Sequence, residues 1–161
     1  MSTSTTNITV MNPSREQAEL TTSQNTYEFS GTHFLANYTS CKHGTLTNID
    51  ELRKAMTKAV KSSGATILRM IDHVFENEAN SDQPGYTSIY LLSESHATIH
   101  TYPEVNSCFI DIFTCGTKCS YAQFDQELRS YLEPGTVSQE VVKRDDNLQT
   151  LLRNTVTQCW S

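Results

Sequence analysis

Long apolar runs are missing from this sequence of 161 residues: none approaches the length that crosses a bilayer, and the opening "MSTSTTNITVMNPSREQ" has neither the basic start nor the continuous apolar stretch of a secretory signal. The expectation is a cytoplasmic protein that does not span a membrane. Clustered positive charge is missing as well. Twelve Lys and Arg stand against 18 Asp and Glu, a net charge of -6, and they are scattered, which argues against a nucleic-acid surface. The densest basic group, Arg53, Lys54, Lys58 and Lys61, reads as the solvated face of a helix. Paired cysteine spacing is absent too: the five cysteines, at 41, 108, 115, 119 and 159, form an odd set without a CxxC, so neither a disulfide framework nor a zinc knuckle is indicated. They read as reduced thiols, most of them small buried residues. No internal repeat, nucleotide-binding motif, metal motif or pyridoxal phosphate motif appears.

What is present fits one domain of common size, long enough to bury a core without staples. Residues 1–26, rich in Ser, Thr and Asn, cannot bury enough surface to offset ordering and read as a flexible leader. The stretch 27–41 is aromatic and β-rich and predicts a first strand. "TNIDELRKAMTKAVKSSG" places Ile49, Leu52, Ala55, Met56, Ala59 and Val60 at helical spacing, with a Thr or Asn cap before it and Gly64 beyond. Strands are predicted over 65–75 and 86–95, with a polar loop over 76–85 between them. "ATIHTYPE" and "SCFIDIFTC" read as a hairpin turning near Val105-Asn106. Ser120 caps a second helix over 121–132, Pro134-Gly135 follows it, and 136–144 predicts a last strand. The domain thus runs 27–144. In the tail, 145–161, Leu148, Leu152, Val156 and Trp160 suit a short amphipathic helix. So few crossover helices disfavour a doubly wound parallel sheet. The expected fold is α/β of the α+β kind, a two-layer sandwich of an antiparallel sheet with helices on one face.

One stretch is unlike the rest. "SESHATIHTYPE", residues 93–104, holds two serines, two histidines and two glutamates. Alternation on a strand puts His96, Thr98, His100, Tyr102 and Glu104 on one face and Ala97, Ile99 and Thr101 on the other. With the turn at Val105-Asn106, His100 would lie opposite Asp111, Thr98 opposite Phe113 and His96 opposite Cys115. That brings the Cys115 thiol near Ser95, but leaves His100 about 16 Å from Ser95 at ~3.3 Å per residue, too far for direct proton transfer. Either the chain bends or a second subunit supplies the histidine. A wet strand near a sheet edge would carry the same residue types with no function. A Cys/His thiol hydrolase lacks an evident orienting Asn or Asp, and His96, His100 and Cys115 match no usual zinc spacing.

From about 29 to 144 the chain resembles the bacterial-type S-adenosylmethionine decarboxylases, which carry a self-generated pyruvoyl group. The resemblance rests on "GTHFLANYTSC", "SGATIL", "HVF", "SESHATIHTYPE" and "DIFTCG" in order, and on Cys115 standing twenty residues after Ser95. It implies that Ser95 attacks the Glu94 carbonyl and cuts the Glu94-Ser95 bond. His100 would be the proton acceptor in processing, Thr87 would assist where the family usually has serine, and Ser95 would become the pyruvoyl group. The resemblance further implies that this group, the only cofactor, forms a Schiff base with substrate and acts as electron sink for decarboxylation, with no metal and no pyridoxal phosphate. Cys115 would be the proton donor in catalysis. Phe75 and Tyr102 would contact the adenine and Glu104 the ribose hydroxyls of S-adenosylmethionine. The implied product is the aminopropyl donor of spermidine biosynthesis, made by a homodimer of two-chain protomers with active sites at the interface.

Departures from the family pattern gather on the substrate side. Asn37 stands for a usual acid, Tyr102 for a common Trp, "VNSCF" for a Gly-rich link, and the 76–84 loop is long. Arginine or ornithine therefore stay open as substrates. A non-catalytic regulator of a related decarboxylase is the reading from another class, and it would be expected to have lost Ser95 or Cys115.

Overall fold

Two helices and six strands occupy the described residues, which run 29–75, 83–115 and 118–145 in the computed structural model. Helix α1 (Ile49–Ser62) starts where the Asn48 side chain accepts a hydrogen bond from the Glu51 backbone N–H at 3.3 Å, a cap worth about 1 kcal/mol. Asp50 and Glu51 in the first turn and Lys61 in the last complement its dipole. Gly64, with φ of +88°, ends it as a residue without Cβ can. Helix α2 (Tyr121–Leu132) is capped by Ser120, which accepts from the Gln123 N–H. Leu52, Met56, Ala59 and Val60 of α1 and Phe124, Leu128 and Leu132 of α2 are buried, one face from each helix. Lys58 and Glu127 join the two helices at 2.6 Å.

The strands β1 (Ser30–Thr39), β2 (Ile67–Phe75), β3 (Gly85–Leu92), β4 (Ser95–Tyr102), β5 (Ser107–Cys115) and β6 (Thr136–Asp145) form one antiparallel sheet in the order β2-β3-β4-β5-β1-β6. Its inner face is Phe34, Ala36, Tyr38, Tyr86, Tyr90, Leu92, Ala97, Ile99, Cys108, Ile110 and Ile112, all buried in one core with the helices. Each of the larger side chains contributes about 1.5–3 kcal/mol by leaving water. Tyr38 reaches through this core to donate a hydrogen bond to the Asp125 carboxylate, which also receives Arg129 Nε at 2.7 Å. Burial, reinforced by Asp125, drives the Tyr38 phenol far above its ordinary range, so it stays a neutral donor. The architecture is the expected α+β sandwich, helices on one face. Three of the four basic residues grouped on α1 stand in ion pairs: Arg53 with Asp50 and Asp72, Lys54 with Glu51, Lys58 with Glu127.

The structure corrects the sequence reading in three places. The third strand stops at Leu92 instead of running to 95, because Ser93 and Glu94 form a tight turn; Leu91 pairs with His96 across it. The β4–β5 register is slipped by two residues: His96 faces Phe113, Thr98 faces Asp111 and His100 faces Phe109. A 3-10 turn over Pro103–Val105, closed by the Asn106 N–H donating to the Pro103 carbonyl at 3.0 Å with Asn106 left-handed at φ +49°, ends β4 earlier than a turn at Val105-Asn106 would. A slip of two keeps every side chain on its predicted face. Thirdly, β4 is an interior strand, flanked by β3 and β5, so its polar residues do not come from a wet sheet edge. The leader, residues 146–161 of the tail and residues 76–82 lie outside the described residues.

Candidate active site

The sheet face away from the helices follows from the register. One row across it reads Arg69, Leu91, His96, Phe113, His33, Val142; the next Ile71, Ile89, Thr98, Asp111, Leu35, Glu140; the third His73, Thr87, His100, Phe109, Asn37, Ser138. Apolar members of this face are exposed, Ile71 at 73%, Phe109 at 51%, Leu91 at 50% and Ile89 at 49%. Among them the predicted site residues fall into two groups at opposite ends of β4.

The first group surrounds the Glu94-Ser95 bond. Glu94 completes the β3–β4 turn, and its carboxylate accepts the Thr66 N–H at 2.9 Å. Its carbonyl oxygen accepts the Cys115 backbone N–H at 3.0 Å. An amide aimed at that oxygen is placed to stabilise negative charge appearing there when the carbonyl is attacked. Ser95 opens β4 with φ of +155°, a region that L residues avoid at a cost of about 1–3 kcal/mol. Its Oγ lies 3.1 Å from His96 Nδ1. Cys115 ends β5, exposed, its backbone against Glu94. Nearby Cys119 is half-buried, and burial, then the charge of Glu94, push its thiol upward. Cys41 and Cys108, both buried, fit the expected small core thiols.

The second group surrounds His100. Thr87 is its cross-strand partner, and Thr87 Oγ1 meets His100 Nδ1 in a hydrogen bond. Phe75 and Tyr102 flank the imidazole edge-on, with ring centroids 5.7 and 4.8 Å away, and Phe109 continues the aromatic row 5.4 Å from Tyr102. Glu104 is exposed on the 3-10 turn beyond Tyr102. An aromatic wall ending in a carboxylate suits a flat, hydroxylated ligand. Because β4 runs as one unbroken extended strand from Ser95 to Tyr102, the two groups of one chain lie at its opposite ends.

Between them lies a set that the sequence reading left out of the site. His33 Nε2 is 3.4 Å and His96 Nε2 3.7 Å from Asp111 Oδ1, and Thr98 Oγ1 donates to Asp111 Oδ2. The His33 and His96 rings meet edge to face at 6.0 Å. His33, His96 and Asp111 offer one ligand atom each within 4.8 Å of one another, a spacing a cation would accept, whereas His96, His100 and Cys115, weighed from sequence as zinc ligands, are not grouped. The signal that would have found this set is parity: His96 beside Ser95 shares a face with Thr98, and the register brings Asp111 to Thr98.

The S-adenosylmethionine decarboxylase family model matches residues 32–145. The chain belongs to this family. Curated relatives of the family bear the name S-adenosylmethionine decarboxylase proenzyme. One from Prochlorococcus marinus is 38% identical over 102 residues, 63% of this chain and 77% of its own. Another, from Methanococcus maripaludis, is 31% identical over 114 residues, 71% of this chain and 88% of its own. The crystal structure of the adenosylmethionine decarboxylase from Aquifex aeolicus shares the fold, with a TM-score of 0.62 at 24% identity over 74% of this chain and 94% of that one. All the residues of both groups fall inside the matched segment of this decarboxylase family. Among the described residues no helix is long and apolar enough to cross a membrane.

Proposed function

We propose that this chain is a proenzyme that cuts itself between Glu94 and Ser95, turns Ser95 into a pyruvoyl group, and then decarboxylates S-adenosylmethionine to the aminopropyl donor used for spermidine. The observation that carries the reading is the local arrangement at the turn: Ser95 is strained, and the carbonyl it would attack is held by the Cys115 N–H at 3.0 Å. The Ser95 oxygen bonds to the Glu94 carbonyl carbon and the C–N bond opens, giving an ester. Removal of the Ser95 α-proton expels the Glu94 carboxylate, and water then replaces the freed nitrogen as ammonia. These residues fit the group that results, because it would start β4 with Cys115 alongside.

Once formed, the pyruvoyl carbonyl supplies an electron sink for the substrate amine. Cys115 delivers a proton to the α-carbon after carbon dioxide leaves. Phe75 and Tyr102 hold the adenine and Glu104 the ribose, around a face that Thr87 and His100 share. Thr87 fixes the His100 ring through Nδ1, which leaves Nε2 for the α-proton.

Two observations support a homodimer. The open sheet face exposes Ile71, Ile89, Leu91 and Phe109, which need cover. The Ser95 and His100 groups stand about 16 Å apart along an unbroken strand at ~3.3 Å per residue. Two copies packed face to face about a two-fold axis would bring the Ser95 end of one against the His100 end of the other. Incubation of purified protein with carboxyl-labelled S-adenosylmethionine, arginine and ornithine in turn tests the substrate. Label is expected from S-adenosylmethionine; release only from arginine or ornithine overturns that assignment, and a chain that stays whole and inert is the regulator.

A further inference from the structure

Ser95 has a histidine beside it that the functional reading leaves without work. His96 Nδ1 is 3.1 Å from Ser95 Oγ, while His100 of the same chain lies at the far end of β4 with its Nδ1 engaged by Thr87. The opposite edge of the His96 ring turns Nε2 toward Asp111 Oδ1 at 3.7 Å. A carboxylate there favours the tautomer with its proton on Nε2, which leaves the Nδ1 lone pair directed at the serine hydroxyl. Asp111 is itself fixed, its other oxygen by Thr98 and the same oxygen by His33 at 3.4 Å. Catalytic hydrogen bonds are commonly long before reaction and shorten when charge appears, so 3.7 Å is within the range a charging imidazole closes.

We propose, resting on the self-cleavage reading above, that His96 is the base of the first step and that Asp111 positions it. As Ser95 Oγ bonds to the Glu94 carbonyl carbon, the hydroxyl proton passes to His96 Nδ1. The carbonyl oxygen gains charge against the Cys115 N–H. When the C–N bond breaks, the electron pair stays on the Ser95 nitrogen, which takes that proton from His96. The step is an isomerisation from amide to ester, with no oxidant, metal or water consumed. The α-proton removed afterwards belongs to the other histidine, so the two imidazoles divide the work by step.

The two roles separate on hydroxylamine, which splits an ester and spares an amide. Full-length wild type, His96→Ala, Asp111→Asn, His100→Ala and Ser95→Ala are purified, and the cut fraction is followed by gel and mass spectrometry with and without hydroxylamine. His100→Ala is expected to stall as the ester, so that hydroxylamine releases a fragment ending in a Glu94 hydroxamate. His96→Ala is expected to cut at least ~100-fold more slowly, to resist hydroxylamine, and to recover when imidazole is added. Asp111→Asn, nearly isosteric, is expected to slow cutting about 10-fold with the same resistance. Cutting of His96→Ala at the wild-type rate, or a hydroxylamine-sensitive stall in it, overturns the proposal while the self-cleavage reading stands. If His96→Ala does not fold, wild-type cutting by Asp111→Asn overturns it equally. A Ser95→Ala chain that still cuts removes the underlying reading, and this one with it.

Discussion

Complementation between two inactive variants is the sharpest test of a shared site. Ser95→Ala removes the proposed nucleophile and keeps His100; His100→Ala removes the proposed second base and keeps Ser95. Within one chain β4 is unbroken from Ser95 to Tyr102, so about 16 Å at ~3.3 Å per residue separates the two, against about 3 Å needed to transfer a proton. On the proposed mechanism a chain therefore would not serve itself. When the variants are produced together and assort freely, half the dimers are mixed, and one of the two sites in each mixed dimer has both Ser95 and His100. About one quarter of all chains, or about half of those bearing Ser95, should then be cut, against none in either variant alone. The readout is the pair of fragments on a denaturing gel, with their masses confirming the break at Glu94-Ser95. Absence of cutting in the mixture, while wild type matures normally, would refute the two-subunit site. So would full cutting of His100→Ala by itself.

Cys115→Ala keeps the backbone N–H that holds the Glu94 carbonyl, so cutting is expected to proceed near the normal rate while turnover of S-adenosylmethionine falls roughly 10²–10⁴-fold, as loss of a general acid does; full activity would remove the assigned role. Phe109→Asp puts a charge in the middle of the open face, where burial of an unpaired carboxylate costs several kcal/mol and each 1.4 kcal/mol is about tenfold in affinity. Sedimentation should show a folded monomer that stays uncut, and an unchanged dimer would mean that another face pairs. Asp72 receives Arg53 Nε at 2.8 Å and the Tyr86 hydroxyl at 3.0 Å, and its pKa is held below the ordinary 3.8, chiefly by the Arg53 hydrogen bond. A depressed carboxylate stabilises the fold above its unfolded pKa and loses that contribution as pH falls through the folded one. Asp72→Asn should therefore lower stability on the order of 1 kcal/mol near neutral pH, with the gap in Tm closing as pH falls from the ordinary 3.8 through the lowered folded value; a gap constant with pH would contradict the assignment.

Local chemistry made much of the fold legible. Asn48, Gly64 and Ser120 mark the helix ends in the sequence because each solves a backbone problem at that position alone. Strand faces were legible for a similar reason: alternation fixes which side a residue takes, and Ala97, Ile99 and Thr101 are buried while His96, Thr98, His100 and Tyr102 are not. Partners were harder. Whether His96 faces Cys115 or Phe113 depends on a turn only a few residues long, and a 3-10 turn over Pro103–Val105 differs from a two-residue turn by a two-residue step in where β4 ends. The His96–Asp111 contact joins residues fifteen apart in the chain, and it is visible only after that step is known. The family motifs named Ser95, His100 and Cys115 without any register, since their order in sequence survives whatever the turn does.

The proposed cut also falls where a protein could sever its own backbone and keep its fold. Glu94-Ser95 lies where a tight turn meets a strand, so breaking it removes a connection and no rung of the sheet. Register pairs from Leu91↔His96 to Thr87↔His100 still tie β3 to β4, β2 still flanks β3, and β5 still flanks β4 over its whole length. On the inner face Tyr86, Tyr90 and Leu92 of the first fragment remain buried with Ala97 and Ile99 of the second. At about 1.5–3 kcal/mol for each large side chain, that shared core far exceeds what one covalent turn contributes by limiting the unfolded chain. The two fragments should therefore travel together through gel filtration and separate only in denaturant. Fragments that part in native buffer would mean that the turn, and not the core, holds β3 to β4.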